Sequence, residues 1–345
     1  MHPSVPEVIE PMLQQDPYSI SGTEQEIPAA SGYVVGADIG GTSLRLALAD
    51  MSGKVVAKWK VSTAGIRDPR VVVGLIHEGV EDLLRQNHLS RSLLRAIAAG
   101  APGVTNVDQG IVIATSYLMG WRDVPLRALL EAKFGVPAAV ENDVNMAAIA
   151  ESQIGAAQGI RDFVFLAAGT GIGAGIVLNG RLFHGMNWSA GEIGYMLVPG
   201  TSVTPMESGK PGALESIVGG EGIKAQWQSL WREDLTQLPR DLVATQIFDH
   251  ALAGDSLAQT VLHKSAQTLA YAIYNLAVVL NCRLFVLGGS VGMHPALWEA
   301  TKAILAERDT RVQPTLVRST LGTDAQVNGA IHLALDTAES RVLST

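Results

Sequence analysis

Four carboxylates and two glycine-rich turns are the residues of this chain best suited to chemistry. The first turn, Gly40-Gly41-Thr42, follows the apolar run Tyr33-Val34-Val35-Gly36-Ala37-Asp38-Ile39 and leads into a second apolar run, 43–48. The second, Gly169-Thr170-Gly171, repeats the pattern between 163–168 and 172–178. Glycine lets backbone N–H groups close on an anion, and a threonine hydroxyl adds a donor. Two lobes that each offer such a turn suit a nucleotide held between them.

Asp38 stands two residues before Gly40, at the end of a strand. A carboxylate there can reach Mg²⁺ directly or through water, since Mg²⁺ keeps most of its waters and takes one or two carboxylates plus phosphates. It could equally only order the turn. Asp143 lies where a strand meets a helix, between Asn142 and Asn145. A phosphoryl acceptor needs a base near its hydroxyl, and a carboxylate fixed on a helix start suits that role. The alternative is a plain helix cap, from Asn142 or Asp143. Glu192, in Ser189-Ala190-Gly191-Glu192-Ile193-Gly194, and Glu215, after Leu214, could accept bonds from sugar hydroxyls; each alone also reads as a solvated loop glutamate.

Gly288-Gly289-Ser290-Val291-Gly292 has two readings. One is a backbone seat for the adenosine part of a nucleotide. The other is the G-x-S-x-G elbow of a serine hydrolase, with Asp309 or Asp324 and then His332 in the required order. Too little chain follows Ser290 to complete a hydrolase sheet, and that reading leaves both Gly/Thr turns idle. A Walker A sequence is missing, because Gly209-Lys210 runs into Pro211. The 169–175 run also lacks the G-x-G-x-x-G spacing of a dinucleotide site.

Alternating strands and helices must position these residues, which points to an α/β architecture. Helices are expected over 70–86, 126–134, 144–154, 226–231, 244–253, 257–280 and 325–335. Strands are expected at 55–61, 94–100, 136–140 and 284–287. Residues 1–32 are rich in Pro, Glu, Gln and Ser and read as an extension. The 345 residues allow about two domains. A net charge of −8 argues against a general nucleic-acid binder. The single cysteine, Cys282, excludes internal disulfides and fits a reducing cytosol. The richest apolar run, 269–287, is broken by Asn275, Asn281 and Arg283, so no membrane span is expected. The N-terminus lacks the pattern of a secretory signal.

Together these segments resemble the ROK family of sugar kinases and repressors, within the actin/hexokinase-like ATPase superfamily, over about residues 33–338. Asp38-Ile39-Gly40-Gly41-Thr42 and Ala168-Gly169-Thr170-Gly171-Ile172-Gly173 resemble its two phosphate motifs. Glu141-Asn142-Asp143-Val144-Asn145 resembles the segment that carries the base, which falls on Asp143. Ala190-Gly191-Glu192-Ile193-Gly194 and Leu214-Glu215 resemble sugar-binding segments, and Val286-Leu287-Gly288-Gly289 the adenosine motif.

The resemblance implies two actin-like (ribonuclease H-like) lobes with mixed five-stranded sheets and ATP and sugar in the cleft between them. The small lobe would be 33–140, joined by a returning C-terminal helix within 325–345, and the large lobe 141–324. Asn142, Asp143, Glu192, Glu215, Tyr195 and Gly103 would hold a hexose. Asp38, Gly40, Gly41, Thr42, Gly169, Thr170, Gly171, Gly288 and Gly289 would hold MgATP, with Asp38 on the magnesium through water in the usual Mg²⁺ manner. The implied activity is ATP-dependent transfer to a hexose, glucose first, in a cytoplasmic homodimer with no nucleic acid and no membrane partner.

The chain departs from the family pattern in places. Tyr195 takes a position usually held by a zinc-binding His, and Met206, Ser208 and Ala213 take cysteine positions, so no zinc is expected. Tyr117 stands where many members have a sugar-binding Asn. N-acetylhexosamines, mannose, allose and fructose stay open as substrates. So does a catalytically silent sugar sensor, whereas residues 1–32 are too short, acidic and Pro-rich for a repressor's DNA-binding domain.

Overall fold

The computed structural model describes residues 32–115, 118, 120–201, 211–307 and 311–342. The extension 1–31, Tyr117, Met206, Ser208 and Asp309 lie outside the described residues.

The chain opens with a three-stranded meander, β1 (Tyr33–Ile39), β2 (Ser43–Asp50) and β3 (Val55–Ser62). All seven residues of β1 are buried, because the strand is central and covered on both faces. β3 is an edge strand and alternates, with Lys58 and Lys60 outward and Trp59 turned in against Gly79. Helix α1 (Pro69–Gln86) starts at a cap in which Asp68 accepts from Arg70 N, with proline at the first helical position. It leads to β4 (Leu94–Ala101). A small excursion follows, β5 (Val104–Asn106), β6 (Ile111–Ala114) and β7 (Arg122–Val124), and forms its own three-stranded sheet. Then come α2 (Leu126–Phe134), β8 (Ala138–Asn142) and α3 (Asp143–Ile154).

The second half repeats the plan. β9 (Phe163–Ala168), β10 (Ile172–Leu178) and β11 (Arg181–Leu182) form a meander. Four helices follow: α4 (Glu215–Val218), α5 (Gly220–Leu230), α6 (Ala244–Leu252) and the long α7 (Ser256–Leu280). They lead to β12 (Leu284–Gly288), α8 (Pro295–Ala306), β13 (Thr315–Arg318) and α9 (Ala325–Val342). The two large sheets run β3-β2-β1-β4-β8 and β11-β10-β9-β12-β13. In each, the first three strands are antiparallel and the last two run parallel to the central strand. The duplication read from the two turns thus extends to whole sheets.

The two helices that end each half cross over. α9 covers the first sheet, where Val327, Ala330, Ile331 and Ala334 pack with Val34, Ala47, Ala96 and Ala98. α3 places Ala147 and Ala148 against Phe163, Phe165 and Val177 of the second sheet. The helices also touch each other closely: a Cβ on Gly329 would sit 1.7 Å from the Met146 carbonyl oxygen. Only glycine permits that approach.

Several boundaries differ from those expected. β8 runs to Asn142, two residues later than the pattern suggested, because Ala138–Val140 pairs with Ile97–Ala99 of β4 and the ladder continues. α3 therefore starts at Asp143 itself. α5 begins at Gly220 rather than 226, and α9 extends well past 335. The excursion of β5 to β7 and the strand β13 were not expected; three- and four-residue strands are too short to show a period. No helix among the described residues is long and apolar enough to cross a membrane.

Candidate active site

The two Gly/Thr turns end the central strands of the two sheets, and neighbouring loops hold each one. In the first, Gly40 N donates to Ser43 O at 2.8 Å, and Thr63 Oγ1 donates to Gly40 O at 2.8 Å. In the second, Gly169 N donates to Gly171 O at 2.9 Å. The start of α5 docks on it, with Gly220 N on Gly169 O at 2.8 Å and Glu221 N on Thr170 O at 3.2 Å. The loop after β12 docks from the other side, with Val291 N and Gly292 N both on Ala168 O. The structure thus brings Gly288 and Gly289 to the second turn. Gly219 and Gly220 join them from the start of α5. The N–H groups of Gly41, Thr42, Thr170 and Gly171 meet no acceptor among the described residues. Four donors on two turns are thus left without a protein acceptor, an arrangement that suits anionic oxygens.

Asp38 leaves β1 beside the first turn, buried, directly opposite Arg45 on β2. Arg45 Nη2 and Nε reach its Oδ2 at 2.6 and 2.8 Å. Burial raises the Asp38 carboxyl above its ordinary value, and Arg45 opposes that rise. The sequence reading had not foreseen this pair.

Asp143 is the first residue of α3. Asn142 is the cap, its Oδ1 accepting from Val144 N at 2.8 Å and Asn145 N at 3.1 Å. Asn142 Nδ2 donates to Gly103 O at 2.9 Å, which ties the helix entry to the loop after β4. Asp143 Oδ1 shares the first-turn donor, accepting from Val144 N at 2.9 Å. Its carboxyl is pushed up to about 7, first by desolvation, then by the facing charge of Asp38 and, more weakly, of Glu192. A carboxyl group poised there can take a proton near neutral pH.

Glu192 follows the second sheet on a loop pinned by Gly191. That glycine has φ +95°, and a Cβ on it would lie 2.0 Å from Ala174 O. Ala174 N in turn donates to Gly191 O at 2.9 Å. Burial, and then the charge of Glu215, raises the Glu192 carboxyl. Glu215 opens α4, and its Oε2 accepts from Ile172 N at 3.2 Å. Asp38 and Glu192 thus raise Asp143, and Glu215 raises Glu192, so four carboxylates from distant parts of the sequence are electrostatically coupled.

The family model described as ROK family matches residues 34–337. The chain belongs to the ROK family. The glucokinase of Halalkalibacterium halodurans is 35% identical over 266 residues, covering 75% of this chain and 80% of that protein. The N-acetylmannosamine kinase of Escherichia coli O7:K1 is 32% identical over 300 residues, covering 86% of this chain and 97% of that protein. The crystal structure of the ROK hexokinase from Thermus thermophilus superposes with a TM-score of 0.73 at 29% identity, over 91% of this chain and all of that one. The duplicated sheets of this ROK chain are the actin-like ATPase fold.

Within this ROK fold the serine-hydrolase reading fails. Ser290 follows β12 at the second turn, whereas His332 lies on α9 against Gly53, in the turn after β2. Asp324 is engaged with Lys58 at 2.6 Å, and Asp309 is outside the described residues. No hydrogen bond joins Ser290, His332 and Asp324. Tyr195 is 56% exposed beside Gly194, and Ala213 is buried. Sequence reasoning also missed Glu141 and His184, which stand at the entry of α3. Only their proximity to Asn142-Asp143 could have drawn notice to Glu141, and nothing local marks His184.

Proposed function

We propose that this chain is an ATP-dependent hexose kinase, and first of all a glucokinase, that moves the γ-phosphoryl group of ATP to the sugar 6-hydroxyl. The observation that carries the proposal is the Asp143 carboxyl, raised to about 7 at the head of α3 and facing Asp38 and Glu192. A group with that pKa takes the hydroxyl proton as the new bond to phosphorus forms. Family membership and the two kinase relatives support the reaction class.

Asn142, Glu192 and Glu215 bind sugar hydroxyls in this reading, with Gly103 and Tyr195 at the edge of the sugar site. The free N–H groups of Gly41, Thr42, Thr170 and Gly171 hold phosphate oxygens, assisted by Gly40 and Gly169. Gly288 and Gly289 seat the adenosine. The residues also fit a magnesium ion: Asp38 Oδ1 has no protein partner among the described residues, and Asp38 and Asp143 repel one another. When bound, Mg²⁺ neutralises phosphate charge. Residues 33–140 with the C-terminal helix, and 141–324, act as two lobes that exclude water from the transfer. A cytosolic homodimer without zinc completes the proposal.

An N-acetylhexosamine kinase is the second reading. It is favoured by the N-acetylmannosamine kinase relative, which this chain matches over nearly its whole length. The deciding experiment measures ADP release with MgATP across hexoses and N-acetylhexosamines, with Asp143→Asn alongside. Release with glucose that vanishes in the variant supports the proposal. Release only with an N-acetylated sugar moves the assignment to the second reading. No release with any sugar leaves a silent sensor.

A further inference from the structure

Glu141 is a buried carboxylate, 4% exposed, at the end of β8. It touches neither turn. Its Oε1 accepts from Asn142 N at 2.8 Å and from Asn145 Nδ2 at 2.9 Å, so it braces the first turn of α3 from below. Its Oε2 accepts from His184 Nε2 at 2.7 Å. His184 belongs to the other half of the molecule, just after β11 at the edge of the second sheet. This one contact therefore joins the strand that delivers Asp143 to the loop that delivers Glu192.

That loop is short and closed on itself. Ala190 N donates to His184 O at 3.1 Å, and Glu192 N donates to Ser189 O at 3.2 Å. A displacement of His184 is thus passed to Glu192 within one loop. The charged groups that face His184 are Glu141 on β8 and Asp108 in the turn after β5, and both are acidic. A buried carboxylate opposite a cation makes a strong hydrogen bond; opposite a neutral ring it makes a weaker one.

We propose that His184 is a positioning residue whose imidazolium, clamped on Glu141, sets the spacing between Asp143 and Glu192 and so governs sugar affinity. The inference rests on the kinase reading of Asp143 and Glu192. It makes sugar binding, rather than phosphoryl transfer, depend on the charge of a histidine that touches no substrate. The bond to Glu141 holds the ring protonated above the ordinary histidine range. The clamp is complete at acidic pH and loosens as pH rises through that raised value.

The test compares the native protein with His184→Gln and His184→Lys, reading KM for sugar, KM for ATP and kcat from pH 6 to 9. In His184→Gln the sugar KM rises about tenfold at neutral pH, the loss of one charged hydrogen bond, while the ATP KM holds. The native sugar KM climbs on the alkaline side; in the Gln variant that climb is gone, and in the Lys variant the neutral-pH KM is regained. Far-UV circular dichroism checks the fold of both variants. Sugar KM values in both variants that match the native protein at every pH, or a parallel rise in the ATP KM, would overturn the clamp. If the native protein shows no sugar-dependent ADP release, the kinase reading itself has failed. Equilibrium sugar binding by tryptophan fluorescence, native against His184→Gln, then still decides the clamp: equal affinities reject it.

Discussion

Arg45 reaches across the first hairpin and grips a single oxygen of Asp38, with Nη2 at 2.6 Å and Nε at 2.8 Å on Oδ2. The two residues are direct cross-strand partners, and Arg45 also donates through Nη1 to the carbonyl of Thr323, just before α9. One guanidinium thus holds the carboxylate beside the first Gly/Thr turn and the entry of the closing helix. Arg45→Met leaves a buried charge unpaired and should cost about 2–4 kcal/mol of stability. Urea unfolding at neutral pH measures this. The same variant should need more Mg²⁺ for half-maximal rate, since Asp38 loses the partner that favours its charged form.

The pH dependence follows from Asp143. Its carboxyl has an ordinary value of 3.8 and is raised to about 7 in the fold. In the proposed role as base it works ionised, so kcat at saturating sugar should climb with pH through about 7 and level off above. Asp143→Asn should remove about 10²- to 10⁴-fold of kcat. A flat profile between pH 6 and 8 would argue against the assignment.

Stability carries the opposite sign. In the unfolded chain this carboxyl ionises near 3.8, but in the fold it resists until about 7. The fold therefore loses stability as pH rises between those values. Asp143→Asn should be more stable than the native protein at pH 8, by up to about 4 kcal/mol, and nearly equal to it near pH 4. Thermal melts of both proteins at the two pH values check the difference.

Gly191→Ala should separate sugar from nucleotide. The added Cβ meets the carbonyl of Ala174 and the backbone is strained at φ +95°. The loop must shift, and Glu192 with it. The sugar KM should rise at least about tenfold while the ATP KM stays near native.

Ser290→Ala should leave sugar-dependent ADP release within about twofold of native, as expected for an exposed side chain without a partner in the reaction. An esterase activity lost in this variant would revive the hydrolase reading.

The hairpins were legible because each is two apolar runs around a Gly/Thr turn, a local pattern. Helix 126–134 matched to the residue for the same reason: its apolar face and the following Gly135 are both local signals. Asp143 was identifiable from its neighbours, but its raised pKa was not. That property comes from Asp38 and Glu192, which only the folded sheets bring to face it. Glu141 and His184 were invisible for a related reason. Alone, one is a strand-end glutamate and the other a loop histidine, and the hydrogen bond that gives them meaning spans the two halves. The capping choice at 142–143 also needed the ladder between β4 and β8, which set where the strand stopped.

The crossing of α3 and α9 has a consequence for how this chain can be divided. Each half of the duplication ends in a helix that finishes the other half's core, locked where Gly329 meets the Met146 carbonyl. A fragment cut after Ile154 keeps α3 but lacks the α9 that shields its own sheet, and its complement keeps α9 but lacks the α3 that packs on its own sheet. The two halves are mutual donors, related to each other as the subunits of a domain-swapped pair that happen to share one backbone. Separate expression of either should yield an insoluble strand array, and co-expression of both should restore the pair.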